Sequence, residues 1–249
     1  RDQKHLWHPY TQHKTAQLPI AIVKGEGALL WDENNKEYID AIASWWVNPY
    51  GHSNKIIAEA IYKQLTTLEH VLFGGFTHEP AVVLSEKLIE ILPNNQKKLF
   101  FSDNGSTAVE VAIKVAMQYF FNNNEKKTTI IAFENAFHGD TFAAMAASGI
   151  SFFTEAFQGS MIDVVRIPVP VKGKETESYL ALNNAILSNN VAGFIFEPLV
   201  QGAAGMVMYE PEALDNLIQI CKENNVFTIA DEVMTGFGKT GKTFACDYL

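Results

Sequence analysis

Short apolar runs alternate with amphipathic stretches through most of this chain, and that alternation limits the possible folds more than any other feature. Leu99–Phe101, Thr128–Phe133, Ile162–Ile167, Val191–Phe196 and Val226–Ala230 read as strands. Between them Ser106–Phe121, Glu177–Leu187 and Glu210–Asn224 carry helical spacing, with Val109, Ala112, Ile113, Ala116 and Met117 on one face of the first. The pattern predicts an α/β fold in which a mostly parallel sheet is flanked by helices on both faces. Ahead of it lie short strand-like pieces, Ile20–Lys24, Ala28–Trp31 and Glu37–Ile39, around the turn signal Asp32-Glu33-Asn34-Asn35. A helix from about Asn54 to Glu69 follows. No internal repeat or low-complexity linker interrupts the sequence.

At 249 residues with 47% hydrophobic content, the chain can bury a large core as one domain, or as one domain plus an appendage. A net charge of −9 argues against nucleic acid or an anionic membrane as partner, because both demand clustered Lys and Arg. The pairs Lys97-Lys98 and Lys126-Lys127 read as solvated edges. Two cysteines, Cys221 and Cys246, lack the spacing of a zinc or redox site. The residues Arg1 to His5 hold no apolar signal core and no run reaches the length of a membrane span, so a cytoplasmic, membrane-free protein is expected.

Four polar clusters follow the expected strands, and in open α/β sheets ligands bind at the carboxyl ends of strands. Asp231 and Glu232 follow Val226–Ala230, read here as a buried parallel strand; an acid there can hold a proton on a ring nitrogen, or serve as a helix cap or turn acid. Ser102-Asp103-Asn104-Gly105-Ser106-Thr107 joins a strand to a long helix and can bind an anion, most naturally a phosphate, or can be an ordinary N-cap. Asn135 to Thr141 sets an aromatic, an imidazole and a carboxylate at one edge. Phe137 can stack on a flat cofactor or pack in the core, and His138 can be a turn residue satisfied by Asp140. Glu197-Pro198 to Gly202 is the fourth cluster, and four polar strand ends exceed what a core requires. Gly236 to Thr243 also matches the phosphate-binding loop pattern G-x-x-x-x-G-K-[ST] of P-loop NTPases. Asp231 and Glu232 intervene between the strand and the first glycine, however, where a true loop runs straight from strand to helix.

The motifs Ser102-Asp103-Asn104-Gly105-Ser106, Phe137-His138-Gly139-Asp140, Glu197-Pro198 with Gly202, and Asp231-Glu232-Val233 with Thr235-Gly236-Phe237-Gly238 resemble the class III (ω-amino acid) aminotransferases. These belong to the fold-type I enzymes that use pyridoxal 5′-phosphate (PLP), and the similarity runs essentially end to end. Trp7 to Thr11, Ser44-Trp45-Trp46 and His70 to His78 resemble the biotin-pathway branch of that class.

The resemblance implies a fold-type I large domain over residues 51–249, incomplete at its C-terminus, and an N-terminal segment, 1–50, that contributes to the small domain and the substrate pocket. Gly105 and Ser106 would hold the PLP phosphate, Phe137 would stack on the ring, and Asp231 would pair with its nitrogen. Tyr10 and Trp45 would line the substrate pocket, and Glu197 would gate between substrates by pairing with an arginine beyond the chain. It further implies a homodimer that moves an amino group from S-adenosylmethionine, or from lysine, to 8-amino-7-oxononanoate, giving 7,8-diaminononanoate. A class III enzyme with another acceptor is the alternative within the class.

Three departures from the family pattern stand out. Phe137 replaces the usual Tyr, and Lys239 replaces an Arg whose bidentate grip Lys cannot reproduce. The family's catalytic lysine is expected roughly thirty residues after Asp231 and so past Leu249. On that expectation the chain is the N-terminal portion of a longer enzyme and is inactive by itself.

Overall fold

The computed structural model describes residues 1–149, 152 and 154–249. They form two compact units, Arg1–Glu79 and Pro80–Leu249.

The first unit begins with the short helix α1 (Asp2–His5) and an antiparallel sheet of β1 (Ile22–Glu26), β2 (Leu29–Asp32) and β3 (Glu37–Ile39), in that order. The expected turn is built by Asp32, whose Oδ1 accepts from the N–H groups of Asn34 and Lys36, both at 2.9 Å, while Asn35 takes φ 61°. A single helical turn, α2 (Ala43–Trp46), follows. All four of its residues have positive φ: 47°, 49°, 69° and 69°. It is therefore left-handed, a conformation that costs about 1–2 kcal/mol per non-glycine residue. The amphipathic α3 (Lys55–Leu65) is capped by Asn54, which accepts from Ile56 and Ile57.

The second unit opens with α4 (Glu79–Ile91), which starts at the boundary residue, and α5 (Gly105–Asn122). Then come β4 (Thr129–Phe133), α6 (Phe142–Ala147), β5 (Val164–Ile167), α7 (Glu175–Ser188) and β6 (Val191–Phe196). A small hairpin of β7 (Val200–Gln201) and β8 (Val207–Met208), then α8 (Pro211–Glu223) and β9 (Phe227–Ala230), complete it. The main sheet runs β5-β4-β6-β9 with every pair parallel. Alternation along the strands sorts side chains to two cores. Ile131, Phe133, Phe194 and Phe196 pack with Leu182 of α7 and with Leu214 and Leu217 of α8. Ile130, Ala132 and Ile195 face the other way, onto Val109, Ile113 and Phe120 of α5 and Ala143, Ala144 and Ala147 of α6. Fully burying each large side chain contributes about 1.5–3 kcal/mol.

Two expectations fail here. Leu99–Phe101 is not a strand: it joins none of the ladders among the described residues, and Phe100 stays exposed where a buried strand would cover it. Phe227–Ala230 is a parallel strand but not a buried one, because it ends the sheet order and has a strand neighbour on one side only among the described residues. The other strands and helices fall within a few residues of their sequence positions. Among the described residues no helix is long and apolar enough to cross a membrane.

Candidate active site

Because the main sheet is parallel, β4, β6 and β9 deliver their following loops to one edge. The loops carry Asn135–Thr141, Glu197–Gly202 and Asp231–Val233; the N-terminus of α5 is hydrogen-bonded to the first and lies close against the last.

Asn104 is indeed an N-cap, with Oδ1 accepting from Thr107 N–H at 3.0 Å, and its carbonyl takes the Ala108 N–H. That leaves the first two amides, those of Gly105 and Ser106, for which no described residue is an acceptor. The cap therefore serves one amide and leaves two aligned with the helix dipole. A Cβ on Gly105 would lie 2.8 Å from Val233 Cγ2 in the loop after β9, so the Val233 side chain would have to shift to admit one.

The Ser106 hydroxyl has an occupation that the sequence did not reveal. It accepts from Thr141 N–H at 2.9 Å and lies 2.9 Å from Thr141 Oγ1, which donates to Glu110 Oε2 at 2.8 Å. Glu110 also accepts from Ala143 N–H, so one carboxylate ties α5 to the start of α6. The Ser106 hydroxyl therefore locks the neighbouring loop, and its amide stays uncommitted.

His138 and Asp231 meet in the interior. Nδ1 of His138 donates to Asp231 Oδ2 at 2.7 Å, with the two side chains 0% and 6% exposed. The turn partner suggested by proximity in sequence, Asp140, is not its partner there. Asp231 is fixed further by Val233 N–H on Oδ1 at 3.1 Å and by its own N–H on the Phe196 carbonyl at 2.8 Å. The His138 backbone N–H donates to Ser148 Oγ at 2.9 Å, and Arg166 holds the Ser148 and Ala146 carbonyls at 2.7 and 2.6 Å. Ser148 and Arg166, like Glu110, bore no motif that could have marked them, and Thr141 lay in a marked cluster without a role of its own.

Glu197 bridges two loops, accepting from Phe137 N–H at 3.2 Å and Gly202 N–H at 2.8 Å. Burial pushes its carboxyl above the ordinary 4.5, against the pull of those two amides. The folded chain consequently binds this proton more tightly than the unfolded one, and stability from this group falls as pH rises from 4.5 through the raised value. Glu197→Gln has no such titration. Urea midpoints at pH about 4.5 and about 7.5 should show wild type losing ground to the variant at the higher pH. A constant difference would refute the raised value.

Phe137 is half-buried beside these groups, leaving ring surface available for stacking. Tyr10 and Trp45, in the first unit, stack on each other at 5.8 Å and remain more than half exposed. The glycine-rich segment Gly236–Thr243 is no nucleotide loop. A 3-10 turn, Ala245–Tyr248, follows it instead of an α-helix. Its lysines serve the loop itself, Lys239 donating to the Gly236 carbonyl at 3.3 Å and Lys242 to that of Asp247 at 2.6 Å. Among the described residues no cluster suits a metal ion.

Known proteins resemble the chain over nearly its whole length. The sequence profile of aminotransferase class III matches residues 10–249. The chain belongs to the class III aminotransferases. It is 47% identical to the adenosylmethionine-8-amino-7-oxononanoate aminotransferase of Synechococcus elongatus, over 97% of this chain and 59% of that protein. The crystal structure of the enzyme of that name from Methanocaldococcus jannaschii superposes with a TM-score of 0.93 at 36% identity, covering 99% of this chain and 57% of that one. An ω-transaminase from Pseudomonas jessenii, solved in complex with PMP, gives a TM-score of 0.93 at 30% identity, over 99% and 58%. This class III chain thus has the fold-type I architecture and spans a little under three-fifths of the relatives it matches.

Proposed function

We propose that the protein carrying this chain is a PLP-dependent aminotransferase of biotin synthesis, which converts 8-amino-7-oxononanoate to 7,8-diaminononanoate with S-adenosylmethionine as amino donor. The observation that carries the cofactor reading is Asp231, a buried carboxylate oriented by His138 at a strand end, in a loop packed against two uncommitted helix amides. This donor set suits PLP in kind: amides for a phosphate, an acid for a ring nitrogen, and a half-buried aromatic face between polar loops. When bound, PLP supplies an electron sink for the bond broken at the substrate's amine-bearing carbon. Gly105 and Ser106 hold the phosphate through their N–H groups. Phe137 covers the ring and Asp231 keeps its nitrogen protonated. His138, with Nδ1–H on Asp231, fixes that carboxylate's direction, and Glu197 holds the Phe137 loop to the Gly202 loop.

The substrate assignment rests on the names of the relatives and on the Trp7–Thr11, Ser44–Trp46 and His70–His78 motifs. In it Tyr10 and Trp45 wall the pocket, Glu197 gates between substrates, residues 1–50 serve the small domain and the pocket, and 51–249 form most of the cofactor domain. A cytoplasmic homodimer and a catalytic lysine outside residues 1–249 complete the proposal. The test is to supply the intact protein with the oxononanoate and either S-adenosylmethionine or lysine and to measure the diamine. Turnover of 4-aminobutyrate or ornithine with none of the oxononanoate would move it to the wider ω-amino acid class. The 249-residue chain alone should not transaminate. Borohydride reduction with PLP should label no lysine stoichiometrically, and a single fully labelled lysine with turnover would reverse that expectation.

A further inference from the structure

The left-handed turn Ala43–Trp46 contains no Gly, Asn or Asp, the residues that visit this region most readily, and yet holds four positive φ values in succession. Such a conformation persists only where its surroundings over-determine it. Here the surroundings converge on Asp40. Ser44 N–H donates to Asp40 Oδ1 at 2.9 Å and the Ser44 hydroxyl to Oδ2 at 2.7 Å. His52 Nε2 lies 2.8 Å from the same Oδ2, and its Nδ1 is held at 2.9 Å by the Asn48 side chain. Asp40 is itself anchored, its N–H donating to the Ala28 carbonyl at 2.8 Å, and its side chain is only 7% exposed. Those contacts, the Ser44 amide first, hold the Asp40 carboxyl down at about 2. The turn closes through Trp46 N–H to the Ile42 carbonyl at 2.8 Å and Val47 N–H to that of Ala43 at 3.1 Å. Its product is a fixed aromatic group, with Trp45 stacked on Tyr10 and set edge-on to Trp46 at 6.3 Å.

We propose that Asp40 is a positioning residue for the acceptor site. Its bonds to Ser44 and His52 keep Ala43–Trp46 left-handed, and that turn sets the Trp45 and Tyr10 rings as the wall for the acceptor's aliphatic chain. The inference rests on the aminotransferase reading above. It differs from a general structural role in what should repair its loss. Glycine at position 43 takes a positive φ without a Cβ penalty, so it should restore the turn without restoring the carboxylate.

The experiment compares the intact protein with Asp40→Asn, Ala43→Gly, the double variant, and the milder Ser44→Ala. Near-ultraviolet circular dichroism of the aromatic group is read without substrate, and KM and kcat are read with the oxononanoate. Asp40→Asn should lose the aromatic band and raise KM on the order of tenfold, the weight of a lost charge-assisted bond, with kcat changed far less. Ser44→Ala should shift both in the same direction by less, and Ala43→Gly should recover most of the loss in the double variant. An unchanged band and KM in Asp40→Asn, or a double variant no better than Asp40→Asn alone, overturns the proposal. If Asp40→Asn does not fold, Ser44→Ala with and without Ala43→Gly decides in the same terms. A protein that never turns over the ketone overturns the acceptor reading, while the dichroism arm still decides whether Asp40 holds the turn.

Discussion

Asp231→Asn should lower amine transfer by the intact protein roughly 10²- to 10³-fold, the usual cost of removing one preorganised electrostatic partner from a reacting centre. The substitution keeps shape and volume, so the sheet and the Asp231 N–H bond to Phe196 should survive. What goes is the charge. An amide cannot hold a ring nitrogen protonated, and it can offer an oxygen to only one of the His138 Nδ1–H and Val233 N–H donors that the carboxylate now accepts with separate oxygens. Single-turnover rates, with circular dichroism to confirm folding, are the measurement. A variant within a few-fold of wild type would reduce Asp231 to a loop acid.

Gly139→Ala should be the most damaging single methyl group in the second unit. Gly139 sits at φ 123°, where an L residue is strained, and its added Cβ would fall on Ser106 Oγ and within 2.7 Å of Ser106 Cα. Backbone strain and overpacking together amount to about 3 kcal/mol or more. Gly205 provides the control, with φ 88° but nothing within 4 Å of its added Cβ. Gly205→Ala should therefore cost only the strain, on the order of 1 kcal/mol. Urea midpoints of both variants separate the two contributions, and equal losses would show that the contact with Ser106 is not tight. Because that contact seats Asn135–Thr141 against α5, Gly139→Ala should also weaken PLP retention where Gly205→Ala does not.

The sequence made legible whatever depends on local periodicity. Apolar runs such as Val191–Phe196 and the helical stripe of Val109, Ile113 and Ala116 are set by burial on one face or two, which leaves its mark on neighbouring residues. Three of the four polar clusters, those after Phe133, Phe196 and Ala230, were legible for the same reason, since parallel strands must deliver their loops to one edge. Pairings between distant segments were not. His138 has an acid two residues away, yet its partner lies 93 residues on, and only the β4-β6-β9 order brings the two together. Ser148, Glu110 and Arg166 look ordinary because their partners are backbone groups of other elements. Leu99–Phe101 has strand composition but belongs to none of the strands among the described residues, because composition does not fix pairing. The left-handed turn was hidden most completely, because nothing in Ala-Ser-Trp-Trp favours positive φ, and the device that enforces it is Asp40, with His52 twelve residues further on.

The position of β9 at the end of the sheet has a practical consequence. One side of its ladder has no strand partner among the described residues, so a row of backbone donors and acceptors faces outward from Phe227-Thr228-Ile229-Ala230, a segment without a single charge. Open edges of this kind are templates for another strand, and natural proteins blunt them with lysine, proline, a bulge or a covering element. None of the first three occurs within these four residues. Protein concentration thereby becomes a structural variable for the isolated chain: dilute solutions leave the edge to water, and crowded ones favour strand-to-strand growth into aggregates.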